Sequence, residues 1–468
     1  MPNSVFIVTR PVIAASLWLV AVTVCLSQEW SAEGVRINEV LPGEMAFKGA
    51  DQPSVSTQLM SELELLADSG KYVANSITGC SSSTTTFRLR GRIDTDAIAT
   101  TQSPANVATF GELGSVVGLR RARIGAEGEL AMGGRYITEI DLASGNLVLR
   151  DIFVGLGETQ SGGELRGGHY REPFSLEMAT GANYFAFLER SVINVLDPAR
   201  NWGLGLFRAS LDETNTFALG VFQAGADQND FQGGDGSTVG LTGKWTTAPI
   251  NEEDGGKLLH LGLAFSERLP EHGFIIVNQQ SQSPLLDLGD SARSPFVPTI
   301  RLPASFQQLL NVQVATANGP FWTQAEWYGT WIDQLGGGPV FFHGCHADCG
   351  CFVTGEHRQY QSSSGALGPV RVNRPFIRGH DHDDRPLGWG AWELTARFAY
   401  LDFEDPNTPF GSAGQFVGIQ LPESTFGVNW YFADCARLMF NYSYAVPHEP
   451  NTGTSVASIY AARLGVFW

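Results

Sequence analysis

From Thr84 onward, apolar and polar residues alternate with a period of two. In Gly390–Phe403, Trp392, Leu394, Ala396, Phe398 and Tyr400 fall on one face, with Glu393, Thr395 and Arg397 on the other. The pattern recurs as Phe426, Val428, Trp430 and Phe432, again as Leu438, Phe440, Tyr442 and Tyr444, and in residues 216–225, 239–247, 258–265 and 320–331. Such alternation is the signature of strands whose two faces meet different surroundings. Short turns rich in Gly, Asp and Asn separate some runs, and long polar stretches such as residues 223–238 separate others. Segments of about 10 residues spaced in this way are what a transmembrane barrel requires.

A soluble sandwich alternates too, but here the apolar face repeatedly carries Trp, Tyr and Phe near strand ends, as an aromatic girdle would. Residues 460–468 place Tyr460, Ala462, Leu464, Val466 and Trp468 on one face, the form expected of a barrel's closing strand. Across residues 84–468, sixteen strands allot roughly 24 residues to each strand with its connection, whereas eight allot roughly 48. Sixteen is the expectation. The fold class is therefore all-β, a transmembrane antiparallel barrel of about 16 strands, wide enough for an aqueous channel.

Charge changes the picture in one place. The chain has a formal net charge of -18, which excludes nucleic acid as a general partner. Yet Thr86–Asp94 sets Arg88, Arg90 and Arg92 opposite Phe87, Leu89 and Ile93. In a barrel this puts the arginines in the lumen and the apolar residues in lipid. Of 30 basic residues only Lys48, Lys71, Lys244 and Lys257 are lysine, so the cationic chemistry is nearly all guanidinium, suited to forked recognition of oxyanions. Arg121, Arg123, Lys244, Arg397 and Arg437 share the lumen parity, and so do Glu127, Glu139, Asp141 and Glu393. The lumen is thus mixed, with cross-strand pairing expected.

The N-terminus carries an address. Arg10 precedes the apolar run Val12–Leu26, of suitable length for a secretory signal, with cleavage expected near Ser27 and a lipoprotein reading at Cys25 as the alternative. Residues 1–27 are assigned to this signal, 28–83 to a periplasmic extension, and 84–468 to the barrel. Within the extension, Leu59, Leu63 and Leu66 recur at helical spacing before Gly70.

Several blocks resemble one family. Residues 167–191, "GGHYREPFSLEMATGANYFAFLERS", are similar to the K/R-E-P-F-S-L-E and F-x-E-R segment of the phosphate-selective porins O and P. Residues 117–130, 354–360, 390–403 and 428–442 resemble further blocks, in the family's order. The resemblance implies an outer-membrane porin, usually trimeric, with a constriction loop folded into the lumen and arginines along the pore. It places Arg171, Glu172, Glu189 and Arg190 in or beside that loop, where they either pin it to the wall or meet solute.

Other clusters are weighed against the strand pattern. "HGCHADCGC", His343–Cys351, has the residue types of a zinc site, but a strand splits them between two faces. Cys345, Cys349 and Cys351 then face lipid, with His346 and Asp348 in the lumen. "HDHDD", His380–Asp384, is expected to be a solvated turn, with a divalent-cation site as the alternative. Counting back from Trp468 puts Cys435 in the turn between the fourteenth and fifteenth strands, on the periplasmic side with Cys80. A Cys80–Cys435 disulfide is one expectation and two separate thiols the other. No G-x-S-x-G, H-E-x-x-H or P-loop pattern is present, so neither an enzyme nor a cofactor is expected. The expected function is passive diffusion of small anions across the outer membrane. A weakly selective or sugar-type porin and a non-transport barrel are the alternatives.

Overall fold

The computed structural model describes residues 85–468, apart from 132, 146, 158–162, 225–237, 253–254, 271–272, 278–295, 298–299, 378–384 and 409–417. The expected signal segment, the expected extension with its expected helix, Cys80 and His380–Asp384 lie outside the described residues.

Each alternating run forms a strand. The barrel strands are β1 (Arg88–Gln102), β2 (Ser115–Leu130), β3 (Gly134–Asp141), β4 (Val148–Leu156), β5 (Glu164–Arg171), β6 (Arg200–Ala209), β7 (Asn215–Ala224) and β8 (Thr238–Glu252). They continue as β9 (Lys257–Pro270), β10 (Ile300–Asn318), β11 (Phe321–Gln334), β12 (Val340–Phe352), β13 (Ala391–Asp402), β14 (Gln420–Ala433), β15 (Ala436–Ala445) and β16 (Ala457–Phe467). Neighbours pair antiparallel throughout, and β1 pairs with both β2 and β16, so the 16-strand sheet closes on itself. Closure leaves these strands no open edge.

At the seam the ladder continues to Trp468, which exchanges backbone bonds of 3.0 and 3.1 Å with Gly91. The indole lies so close over Gly91 that an added Cβ would sit 2.2 Å from the ring, which is why glycine stands there. We call this the near end, where β1 begins and β16 finishes, and the opposite the far end.

The outer face is apolar. Phe87, Leu89, Ile93, Leu119, Leu263, Phe265, Leu394, Phe398 and Phe426 are all exposed. Aromatic groups stand at both rims, with Trp392 stacked on Trp430 at the near end and Trp331 against Phe341 at the far end. Cys345, Cys349 and Cys351 lie on β12 with their side chains partly or fully exposed, while His346 and Asp348 on alternate positions are buried. Exposed Cys435 sits in the turn between β14 and β15.

Among the described residues, two long connections fold into the interior, and Phe296 and Val297 of a third join the packing of the first. Residues 172–199, between β5 and β6, enter from the far end as a one-turn helix (Leu176–Ala179) and two 3₁₀ turns (Ala182–Tyr184 and Val192–Leu196). Phe174, Val192, Ile193, Val195 and Leu196 pack there against Tyr328, Ile332, Phe342, Leu401 and Leu421 of the wall. Residues 353–390, between β12 and β13, start from the near end. Their first part forms a hairpin, Arg358–Gln361 with Ala366–Val370, whose Tyr360 and Leu367 are buried with Leu176, Leu258 and Ala315. Residues 354–360 therefore do not extend a barrel strand.

Candidate functional site: the charged interior

The inward segment is held by its polar groups. Glu326 of β11 accepts from the amides of Leu176 and Glu177 at 3.0 and 2.7 Å, satisfying the start of a helix too short to persist alone. Glu172 accepts from both Thr242 and Arg268, the latter at 2.8 Å, and fixes the segment's first turn to β8 and β9. Glu177 turns back to accept from the Ser191 amide and receives Arg397 Nη2 at 2.6 Å. Further along, Arg437 donates to the carbonyls of Ala182 and Phe185, Asn429 to that of Ala186, and Arg463 to that of Leu188.

The eight residues expected to line the channel stand in two different settings, two at the near mouth and six buried. Arg88 is 75% exposed and Arg90 28% exposed at the near mouth, both beside Glu127. Arg92, Arg121, Arg123, Lys244, Arg397 and Arg437 are buried. Arg92 donates to Asp94 at 2.9 Å and to Asn183 of the inward segment at 2.8 Å. Arg123 bonds Asp141 and Glu139. Lys244 reaches the Ser175 carbonyl at 3.2 Å, and Arg397 forks onto Asp348 with two bonds of 2.8 Å. The expected mixing of signs thus takes the form of buried, hydrogen-bonded pairs.

Glu189 gathers three arginines of the barrel wall. It receives Arg120, Arg121 and Arg463 at 2.7, 3.0 and 2.6 Å. Burial alone would push its carboxyl up, but the three guanidinium groups outweigh burial and hold it down at about 2. Arg120 and Arg121 both point inward because the β1–β2 register slips there. Asp94 faces Arg121 and Thr95 faces Leu119, so Arg120 is the extra residue of a bulge. Parity along the sequence assigns Arg120 to lipid; only the bulge brings it in. Arg463, by contrast, follows from parity, since Tyr460, Ala462 and Leu464 face out.

Arg171 donates to the carbonyls of Met178 and Thr180, and Arg190 to that of Glu177 while lying 4.3 Å over the Phe185 ring. Each also keeps a buried N–H without a protein acceptor, Nε of Arg171 and one Nη2 of Arg190. Arg171 lies within electrostatic reach of Arg200, Arg190 and Arg123. A cavity of about 50 Å³ remains beside Arg190, bounded by Asp96, Phe187, Glu189, Arg397 and Glu423.

Among solved structures, the chain is similar to OmpT of Vibrio cholerae in its trimer form (11% identity, TM-score 0.48, covering 82% of this chain and 100% of that one). It is also similar to an anion-selective porin from Comamonas acidovorans (12%, 0.48, 82% and 99%) and to the outer-membrane channel DcaP of Acinetobacter baumannii (10%, 0.47, 82% and 97%). An uncharacterised protein of Caulobacter vibrioides is 26% identical over 371 residues, 76% of this chain and 68% of that one. The family described as phosphate-selective porin O and P matches residues 87–464, from the first barrel strand to the last. With that match running through the whole closed barrel, the chain belongs to the phosphate-selective porin O and P family of outer-membrane porins.

Proposed function

We propose that the barrel is a pore through which small anions, phosphate or other oxyanions among them, diffuse across the outer membrane past the narrowing made by residues 172–199. The observation that carries this reading is that Arg171 and Arg190, each partly exposed, pair with no carboxylate among the described residues and donate only to backbone carbonyls. A guanidinium without a counter-ion leaves its charge for a passing oxyanion to meet. Neighbouring Arg200 and Arg123 favour negative charge at the same place, while Asp151, Asp141 and Glu189 keep the local field weak enough to release it. The near end is then periplasmic. A homotrimer in outer-membrane lipid is the expected assembly, as the family resemblance implies. Residues 1–27 serve as the export signal and 28–83 as a periplasmic extension.

Extensive pairing of the interior arginines favours one alternative, a weakly selective pore. Reversal potentials of the reconstituted protein in asymmetric potassium chloride separate the two. An anion-directed potential with phosphate blocking chloride current is expected. A cation-directed potential overturns the reading, and an anion-directed one without phosphate block favours the weakly selective pore.

A further inference from the structure

The inward segment has little structure of its own, one helical turn and two 3₁₀ turns, so its position depends on what holds its backbone. Its carbonyls at Ala182, Phe185, Ala186 and Leu188 hang from side chains of the barrel wall. The carbonyl of Tyr184 hangs from something else. It accepts from Arg358 Nη1 at 2.5 Å, and Arg358 belongs to the hairpin that enters from the opposite end of the barrel.

Arg358 is only 4% exposed and has no guanidinium group to spare for solute. Its Nη2 meets both oxygens of Glu393 at 2.9 and 3.1 Å, its Nε the first of them at 3.2 Å, and its plane lies 4.7 Å from the Trp322 ring. Glu393 is itself fixed by Trp322 Nε1, Asn429 and the Tyr431 hydroxyl at 2.9, 2.8 and 2.8 Å. The same Asn429 donates to the Ala186 carbonyl at 2.7 Å. One buried carboxylate thus orients two donors onto Tyr184 and Ala186. Apolar packing runs in parallel, with Leu367 of the hairpin beside Leu176, and Val370 and Val372 beside Ala186 and Phe187.

We propose that Arg358 is a positioning residue for permeation: by clasping the near-end hairpin to Tyr184, it sets where the inward segment stands in the lumen and hence the pore's width and charge preference. This rests on the reading of residues 172–199 as the narrowing of an open pore. Lysine cannot replace the arginine, because one ammonium cannot make a fork to Glu393 and reach the carbonyl together.

The test is planar-bilayer recording of the full-length protein as wild type, Arg358→Gln and Arg358→Lys, with heat-modifiable gel migration as the check on barrel folding. Expected are variant pores of larger conductance than wild type, with rapid flicker and a reversal potential shifted towards zero. Should Arg358→Gln fail to insert, Arg358→Lys, which keeps the buried charge, decides alone by the same readouts. Variants with wild-type conductance, noise and reversal potential overturn the proposal, even if they unfold at lower temperature, since that is all a merely structural arginine would do. Absence of any channel from the wild-type protein overturns the porin reading and the clasp with it, a result distinct from unchanged variant channels.

Discussion

Arg463 and Asp96 face each other across the seam that closes the barrel, joined by two parallel bonds of 2.7 Å between β16 and β1. Both side chains are buried, and the same guanidinium also holds Glu189 at 2.6 Å. One residue therefore pairs across the seam and ties the inward segment to it.

Removing Arg463 leaves Asp96 buried and uncompensated, at a cost of about 3–5 kcal/mol, whereas removing Asp96 leaves Arg463 still paired with Glu189. Arg463→Ala should therefore lower the unfolding free energy of the barrel by an amount of that order, and Asp96→Ala by less, measured by urea titration in detergent. A double variant less damaged than the sum of the singles is expected from their coupling. Strict additivity would contradict the pairing.

Depth in the membrane gives a second test. Leu263 lies near the middle of β9 and Leu89 near the start of β1, both exposed on the outer face. Leu263→Arg should cost about 2–4 kcal/mol of insertion free energy and Leu89→Arg about 0–1, because the penalty peaks at the bilayer midplane. Equal penalties in lipid-vesicle folding titrations would refute the assignment of near end and midplane.

Charge preference should follow Arg190. Arg190→Gln keeps a donor for the Glu177 carbonyl but removes the cation, so the reversal potential in asymmetric salt should move towards cation preference while gel migration stays that of a folded barrel. Arg190→Lys should retain most of the anion preference. An unmoved potential in the Gln variant would remove Arg190 from the permeation path.

The inward segment should respond to pH through two carboxyls of opposite habit. Burial pushes Asp197 up to about 6, although the Ser175 hydroxyl and the Ala199 amide bond to its oxygens. Its folded form thus prefers the proton, and its contribution is fully present below 3.8 and lost as pH rises through about 6. Glu189 behaves the other way. Its contribution is present above 4.5 and is lost only as pH falls through about 2. Open-channel noise should therefore fall as the bath goes from about pH 7 to about pH 5, and Asp197→Asn should abolish that change. Noise that rises over this interval would contradict the assignment.

Much of this architecture was legible from the alternation alone. Which face of a strand a residue occupies is a matter of local parity, so Phe87, Leu89 and Ile93 could be set outward and Arg88, Arg90 and Arg92 inward without knowing any partner. The same parity split Cys345 and Cys349 from His346 and Asp348, and dividing residues 84–468 at roughly 24 residues per strand with its connection reached sixteen strands. What parity cannot supply is who meets whom. Arg463 finds Asp96 only through the closing register, Arg120 turns inward only because a bulge shifts it, and Arg397 joins Asp348 to Glu177 only after the segment has folded in. The near-end hairpin was invisible for a related reason. Its few apolar residues, Tyr360, Leu367, Val370 and Val372, show no amphipathic period, because they are buried against a wall contributed by distant strands and not against a face of their own. Sequence thus determined the cylinder and its two faces, since backbone geometry repeats every two residues. Tertiary structure decided how the interior charges are neutralised and what narrows the lumen, since those contacts depend on register and closure between residues far apart in the chain.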